Sequence, residues 1–171
     1  IVFLGDSITE MCEWQEFFPG ETILNRGISG DSTFGVIDRV EGIINLQPKK
    51  IFITIGVNDL QRQYPKETVI NNIKKTANIL LAETKSKIYL QSILPVIEKK
   101  LQTGIKNSTI DLVNDELRKF SEEENIGFID NNKLMKDSSG NLNQDLSSDG
   151  LHLNGEAYRL WIENIRSKVN N

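Results

Sequence analysis

Short apolar runs recur along the chain at residues 1–4, 22–24, 51–55, 87–93 and 126–129. They are apolar on both faces rather than alternating, which is the pattern of strands covered by helices on either side, and they predict a parallel sheet. Between them lie positions spaced as one buried face of a helix: Val36, Val40 and Ile43; then Ile70, Ile73, Ala77 and Leu80; then Ile110, Val113, Leu117 and Phe120. A last helix over about residues 155–169 places Ala157, Trp161 and Ile165 at four-residue steps, with Asn154 as its N-cap and Glu156 in its first turn. Strands and helices alternate in βαβ order. With no internal repeat, low-complexity stretch or linker, the pattern predicts a single three-layer α/β/α domain over residues 1–171.

One connection departs from this rhythm. Residues 130–154 are rich in Asn, Asp, Ser and Gly and have little periodicity. A segment of that length in a small domain is usually functional or disordered. It carries His152, the only histidine of the chain.

Composition narrows the chemistry. The 171 residues hold 20 Lys and Arg against 24 Asp and Glu, a net charge of −4, and the lysines are scattered in pairs rather than gathered in a stripe. Nucleic acid is therefore not an expected partner. One Cys and one His cannot build a zinc cage, and Cys12 has no partner for an internal disulfide. No apolar run approaches the roughly 18 residues that a membrane-spanning helix needs. Ile1 stands where an initiator methionine would, so the sequence is read as starting inside a longer product. The compartment stays open, with the cytoplasm favoured.

In an open α/β sheet, ligands gather beyond the carboxyl ends of the strands. Four segments there carry small or polar groups: Gly5-Asp6-Ser7-Ile8-Thr9-Glu10, Asn25-Arg26-Gly27-Ile28-Ser29-Gly30-Asp31, Gly56-Val57-Asn58-Asp59 and Asp149-Gly150-Leu151-His152-Leu153-Asn154. Each alone has a plain structural reading. Ser7 fits a helix N-cap, Gly27 and Gly30 fit turns with positive φ, and Asp6, Asp31 and Asp59 fit hydrogen bonds to loop backbone.

Together they point to acyl transfer. A serine hydroxyl is a weak nucleophile until a neighbouring base takes its proton, and only His152 can be that base. Asp149, three residues earlier across a glycine-containing turn, can fold back onto Nδ1 and fix the tautomer. The backbone N–H of Ser7, the N–H of Gly30 and the side-chain amide of Asn58 are candidate donors to an oxyanion.

These four blocks resemble those of the SGNH hydrolases, also called the GDSL esterase/lipase family, across nearly the whole chain. The resemblance implies Ser7 as nucleophile, Gly30 and Asn58 as oxyanion donors, and Asp149 and His152 as acid and base. It also implies a flavodoxin-like sheet of order 2-1-3-4-5 and ester hydrolysis with neither metal nor organic cofactor. The segments at 25–31, 91–96 and 149–154, followed by Gly155 and Tyr158, look most like a branch of small acetylhydrolases. That branch includes relatives of platelet-activating-factor acetylhydrolase subunits and of carbohydrate or sialate O-acetylesterases. Ala157 stands where many of these relatives carry a second glycine.

The expected activity is a serine esterase that removes short acyl groups, acetyl above all, from a small-molecule ester such as an O-acetylated sugar. Almost every residue is used by strands and core helices, so binding falls to loops at 61–66 and 96–106. Their polar residues Gln61, Arg62, Tyr64, Lys99 and Gln102 suit a sugar-like alcohol. A monomer or homodimer is expected. The alternatives are a lysophospholipase or thioesterase type of acyl hydrolase, and a non-catalytic flavodoxin-like module whose Gly5–Thr9 loop would hold the phosphate of a flavin nucleotide.

Overall fold

In a computed structural model, which describes residues 1–170, five strands pair in parallel. They are β1 (Val2–Gly5), β2 (Leu24–Gly27), β3 (Lys50–Thr54), β4 (Lys87–Gln91) and β5 (Gly127–Ile129), and their order is β2-β1-β3-β4-β5. Helices α1 (Ser7–Glu10) and α2 (Trp14–Phe17) join β1 to β2, and α3 (Thr33–Asp38) and α4 (Val40–Ile44) join β2 to β3. Next, α5 (Val57–Gln61) and α6 (Lys66–Glu83) lead to β4, α7 (Asn107–Glu123) leads to β5, and α8 (Asn131–Met135) and α9 (Gly155–Asn170) follow.

Right-handed crossovers turn this strand order into two helical layers. The chain leaves β1 towards β2, then reverses past β1 to β3. Helices α1 and α2 therefore lie on one face, and α3, α4, α6 and α7, which pack together, lie on the other. The reversal leaves a crevice beyond the ends of β1 and β3.

Side chains alternate across the sheet, and the alternation separates two kinds of core. Phe3, Phe52 and Tyr89 sit opposite one another in register, with rings stacked 4.8 and 4.7 Å apart. Trp14 lies over Phe3 at 3.9 Å, and Trp161 of α9 meets Trp14 edge-on at 5.2 Å. Such aromatic pairs contribute about 0.5–1.5 kcal/mol each beyond the area they bury. The aliphatic positions between them, Leu4, Ile51, Ile53, Ile88 and Leu90, are buried and face the opposite layer. The first helix-lined layer thus ties the chain's last helix to its first strand.

The structure differs from the sequence reading in two elements. The second strand runs over Leu24–Gly27, not 22–24, so Asn25, Arg26 and Gly27 belong to the sheet rather than to the loop after it. β2 is an edge strand with partly exposed residues, and there a polar sequence carries no cost that an apolar run would reveal. Residues 130–154 are also more ordered than their composition suggests. They hold α8, whose Asp130 cap accepts the N–H of Lys133 at 3.0 Å, a bridge between Lys136 and Leu142, and a 3₁₀ turn at Gln144–Leu146. Met135, Leu142 and Leu146 are buried. Their separations of seven and four residues fall in different local structures, so no single period marks them. Asn154 does cap α9, accepting the N–H of Ala157 at 3.1 Å.

Candidate active site

The nucleophile candidate stands where β1 turns into α1. Asp6 is the N-cap of that helix and accepts the N–H of Ile8 at 3.0 Å, so the capping role that its position offers to Ser7 belongs to its neighbour. Ser7 is the first helical residue, and its hydroxyl is free for another partner. A four-residue helix does not hold itself together. Distant side chains satisfy its carbonyls instead: Trp14 Nε1–H donates to Thr9 at 2.9 Å, and Asn25 Nδ2 lies within 3.1 Å of the carbonyls of Thr9, Glu10 and Cys12. Gly27 has an ordinary φ. Its role is close approach, because a Cβ there would stand 2.2 Å from the backbone nitrogen of Glu10.

Ser7 Oγ lies 3.0 Å from His152 Nε2, and His152 Nδ1 lies 2.7 Å from Asp149 Oδ2. The turn at 149–152 closes on its own carboxylate. Asp149 Oδ1 accepts the N–H groups of Leu151 at 2.9 Å and of His152 at 2.8 Å, and Ser147 Oγ–H donates to it at 3.2 Å. Partial burial opposes ionisation of Asp149, but the hydrogen bonds from the His152 ring and from the two N–H groups hold its carboxyl well below the usual range. A carboxylate can only accept, so Nδ1 carries a hydrogen, and in the neutral imidazole Nε2 is then the acceptor for the Ser7 hydroxyl. Ser7 is 5% exposed and His152 is partly exposed.

The other two blocks meet at the same rim. Gly30 adopts φ +75°, the left-handed conformation that suits glycine, and a Cβ on it would meet only Arg62 Nη2, at 3.9 Å. Among the described residues, neither its N–H nor that of Ser7 has a hydrogen-bond acceptor. Asn58 donates one amide hydrogen to the carbonyl of Asp31 at 2.9 Å and retains a second. Asp31 and Asp59 act on the loops. Asp31 accepts Arg39 Nε–H and the N–H of Ser32 at 2.8 Å each, while Asp59 accepts the N–H and hydroxyl of Thr33 at 3.0 and 2.7 Å.

The sequence reading passed over Arg39. It bridges the carbonyls of Gly5 and Arg26, at 3.0 Å each, to the carboxylate of Asp31, and so fastens the first two blocks together. Its place at a break between two short helices gave no sign of this.

The loop at 96–106 joins the two sides of the rim. Lys100 Nζ donates to the carbonyl of Ser148 at 2.9 Å, Ile97 N–H donates to that of Gly150 at 2.9 Å, and Gln63 donates to Thr103 from the other side. Among the described residues no three His, Cys, Asp or Glu side chains are placed to hold a metal, and no helix is long and apolar enough to cross a membrane.

A serine, an imidazole and a carboxylate in hydrogen-bonded sequence, at the carboxyl edge of a 2-1-3-4-5 sheet, have the form of an ester hydrolase. The chain belongs to the GDSL-like lipase/acylhydrolase family, whose sequence pattern matches residues 3–160. It is 28% identical over 173 residues to the N-acylneuraminate cytidylyltransferase of Streptococcus agalactiae serotype V, covering 97% of this chain and 39% of that one. The chain thus spans about two fifths of the length of the cytidylyltransferases it matches. It is also 28% identical to the platelet-activating factor acetylhydrolase IB subunit alpha2 of Homo sapiens, over 92% of this chain and 70% of that one. Among solved structures, a GDSL-like lipase of Bacteroides thetaiotaomicron superposes with a TM-score of 0.89 at 29% identity, covering 99% and 86% of the two chains. The acetylxylan esterase Axe2 of Geobacillus stearothermophilus shares the fold, with a TM-score of 0.77 at 20% identity and 99% and 93% coverage.

Proposed function

We propose that this chain is a serine esterase that removes acetyl groups from a carbohydrate alcohol through an acyl-enzyme. The observation that carries the reading is the 3.0 Å contact between Ser7 Oγ and His152 Nε2, backed by Asp149 at 2.7 Å. In this mechanism Ser7 Oγ attacks the ester carbonyl as its proton passes to Nε2, and Asp149 steadies the imidazolium. The Ser7 and Gly30 N–H groups and the remaining Asn58 hydrogen receive the oxyanion. The tetrahedral adduct then expels the alcohol, which takes the proton from Nε2. Water, deprotonated by His152, repeats the sequence on the acyl-serine and releases acetate and free Ser7.

One further point supports the acetyl and sugar parts of this reading. Similar proteins include an acetylxylan esterase, a platelet-activating factor acetylhydrolase subunit and an N-acylneuraminate cytidylyltransferase, which between them bear acetyl esters and sugars in their names. The flavin-carrier alternative gains no support from a loop whose hydroxyl is engaged by an imidazole.

The test is an acyl-chain series of nitrophenyl esters beside a panel of O-acetylated sugars, with Ser7→Ala as control. Acetyl should be the preferred acyl group, and Ser7→Ala should lose nearly all turnover with an unchanged thermal transition. Turnover that survives in Ser7→Ala, or that climbs with acyl length beyond butyryl, would overturn the assignment.

A further inference from the structure

The turn that carries Asp149 and His152 is closed at its neck by Asn154. Its N–H donates to the carbonyl of Leu146 at 3.0 Å, and its Nδ2–H donates to that of Asp145 at 2.7 Å. From outside the turn, Ile97 and Lys100 hold the carbonyls of Gly150 and Ser148. These contacts fix backbone. None of them reaches the carboxylate of Asp149, an exposed side chain with two torsions of its own.

The two oxygens of that carboxylate are used differently. Oδ2 meets His152 Nδ1 at 2.7 Å, while Oδ1 takes the N–H groups of Leu151 and His152 and the hydroxyl of Ser147. Among the described residues, Ser147 is the only side chain besides His152 that donates to Asp149. It is buried, whereas Ser148 and Asp149 beside it are exposed. Its Oγ has a second partner, accepting the buried N–H of Gly150 at 2.9 Å. An N–H can only donate and a carboxylate can only accept, so both bonds have a settled direction: Gly150 N–H to Ser147 Oγ, then Ser147 Oγ–H to Asp149 Oδ1. At 3.2 Å the second is the longest of the four contacts to the carboxylate. It is also the one contact to Oδ1 that a side-chain substitution removes, since the other two come from backbone.

Resting on the esterase reading above, we propose that Ser147 is a positioning residue of the reaction, whose hydroxyl holds Oδ1 of Asp149 so that Oδ2 stays turned to His152 Nδ1. Ser147 touches neither substrate nor a reacting atom. Its effect passes through Asp149 to the imidazole that accepts the Ser7 proton. Without the hydroxyl, the exposed carboxylate gains freedom to turn to water, and the ring loses the partner that fixes its tautomer. In the other tautomer Nε2 carries the hydrogen and cannot accept from Ser7.

The experiment uses the fact that His152 is the only histidine of the chain, so an imidazole N–H resonance of the nitrogen-15-labelled protein belongs to it without further assignment. Wild type should give a resolved low-field Nδ1–H signal, and Asp149→Ala should lose it. Ser147→Ala should also lose it, and kcat for nitrophenyl acetate should fall roughly 10- to 100-fold, the range for a misplaced reacting group, with KM little changed. Alanine also leaves the Gly150 N–H without its acceptor, so Ser147→Thr and Ser147→Val make a second comparison. The two have the same shape, and φ −154° with ψ 133° is extended backbone that β-branched residues accept. Threonine keeps the hydroxyl and should retain the signal and most of kcat, while valine should match alanine.

No signal in wild type overturns the proposal, and so does a signal with wild-type kcat in Ser147→Ala or Ser147→Val. Equal behaviour of the threonine and valine variants overturns it as well. A lowered thermal midpoint with signal and kcat intact would make Ser147 a support of the turn alone. Nitrophenyl acetate turnover that is lost in Ser7→Ala keeps the esterase reading intact in each of these cases. Turnover that persists there brings down that reading and this one with it, whatever the resonance shows.

Discussion

The hydroxyl of Tyr158 donates to the carbonyl of Ile8 at 2.7 Å, so the last helix holds the short helix that presents Ser7. Burial raises the pKa of this phenol, with the nearby Cys12 and Asp6 acting in the same direction, and it remains a donor throughout the working range. Tyr158→Phe leaves a buried carbonyl without a partner, at an expected cost of about 1–3 kcal/mol. For a domain of this size the thermal midpoint should fall by roughly 2–4 °C per kcal/mol. Thermal melts and kcat measured together check this. An unchanged midpoint would mean that α1 is held by Trp14 and Asn25 alone.

Asn58→Ala removes the tie to the carbonyl of Asp31 and the hydrogen that remains for an oxyanion. Loss of one such donor typically lowers kcat by about 10²- to 10³-fold. The expected result is a fall of that order in kcat for nitrophenyl acetate, with KM little changed. Equal effects on binding and turnover would place the amide outside the reacting centre.

Burial pushes the Asp6 carboxyl from its ordinary value near 3.8 up to about 7, against the opposing pull of the Ile8 N–H and of His152. Asp31 and Asp59 add to the rise. A carboxyl with a raised pKa in the folded state binds its proton more tightly there than in the unfolded chain. Its contribution to stability is full below about pH 4 and is lost as the pH rises through about 7. Asp6→Asn keeps an oxygen for the Ile8 N–H and removes the ionisation. Denaturant midpoints measured from pH 4 to 8 should fall more steeply with pH in wild type than in Asp6→Asn. Parallel curves would show that Asp6 keeps its charge at no cost.

Gln91 joins the sheet to the last helix. Its Oε1 accepts Trp161 Nε1–H at 2.7 Å and Asn131 Nδ2–H at 3.0 Å, and its Nε2–H donates to Thr54 at 2.9 Å, all buried. Gln91→Leu leaves three polar groups unpaired in an apolar setting. At about 1–3 kcal/mol each, the loss should exceed roughly 3 kcal/mol in a urea titration. A loss below about 1 kcal/mol would mean that water replaces the missing amide.

What could be read from the sequence follows from what each residue answers to. β1 and β3 are buried on both faces, and only a continuous apolar run satisfies that demand, so they were legible. β2 lies at an edge, where Asn25 and Arg26 meet little constraint, and its bounds were misplaced. The meeting of Ser7, Asp149 and His152 was legible because a weak nucleophile needs a base and this chain offers one imidazole. Arg39 and Tyr158 were not read as parts of the site, because each acts on backbone carbonyls, which leave no trace in composition or spacing.

The contact between Ser7 and His152 spans 145 positions of the chain. Nothing local can bring the two together, and contacts so remote are among the slowest to form during folding. A ribosome-bound chain that has not yet released residues 149–152 holds a serine alcohol with no base to activate it. On the proposed esterase reading, the appearance of turnover during refolding reports that this remote contact has formed rather than the first collapse of the chain.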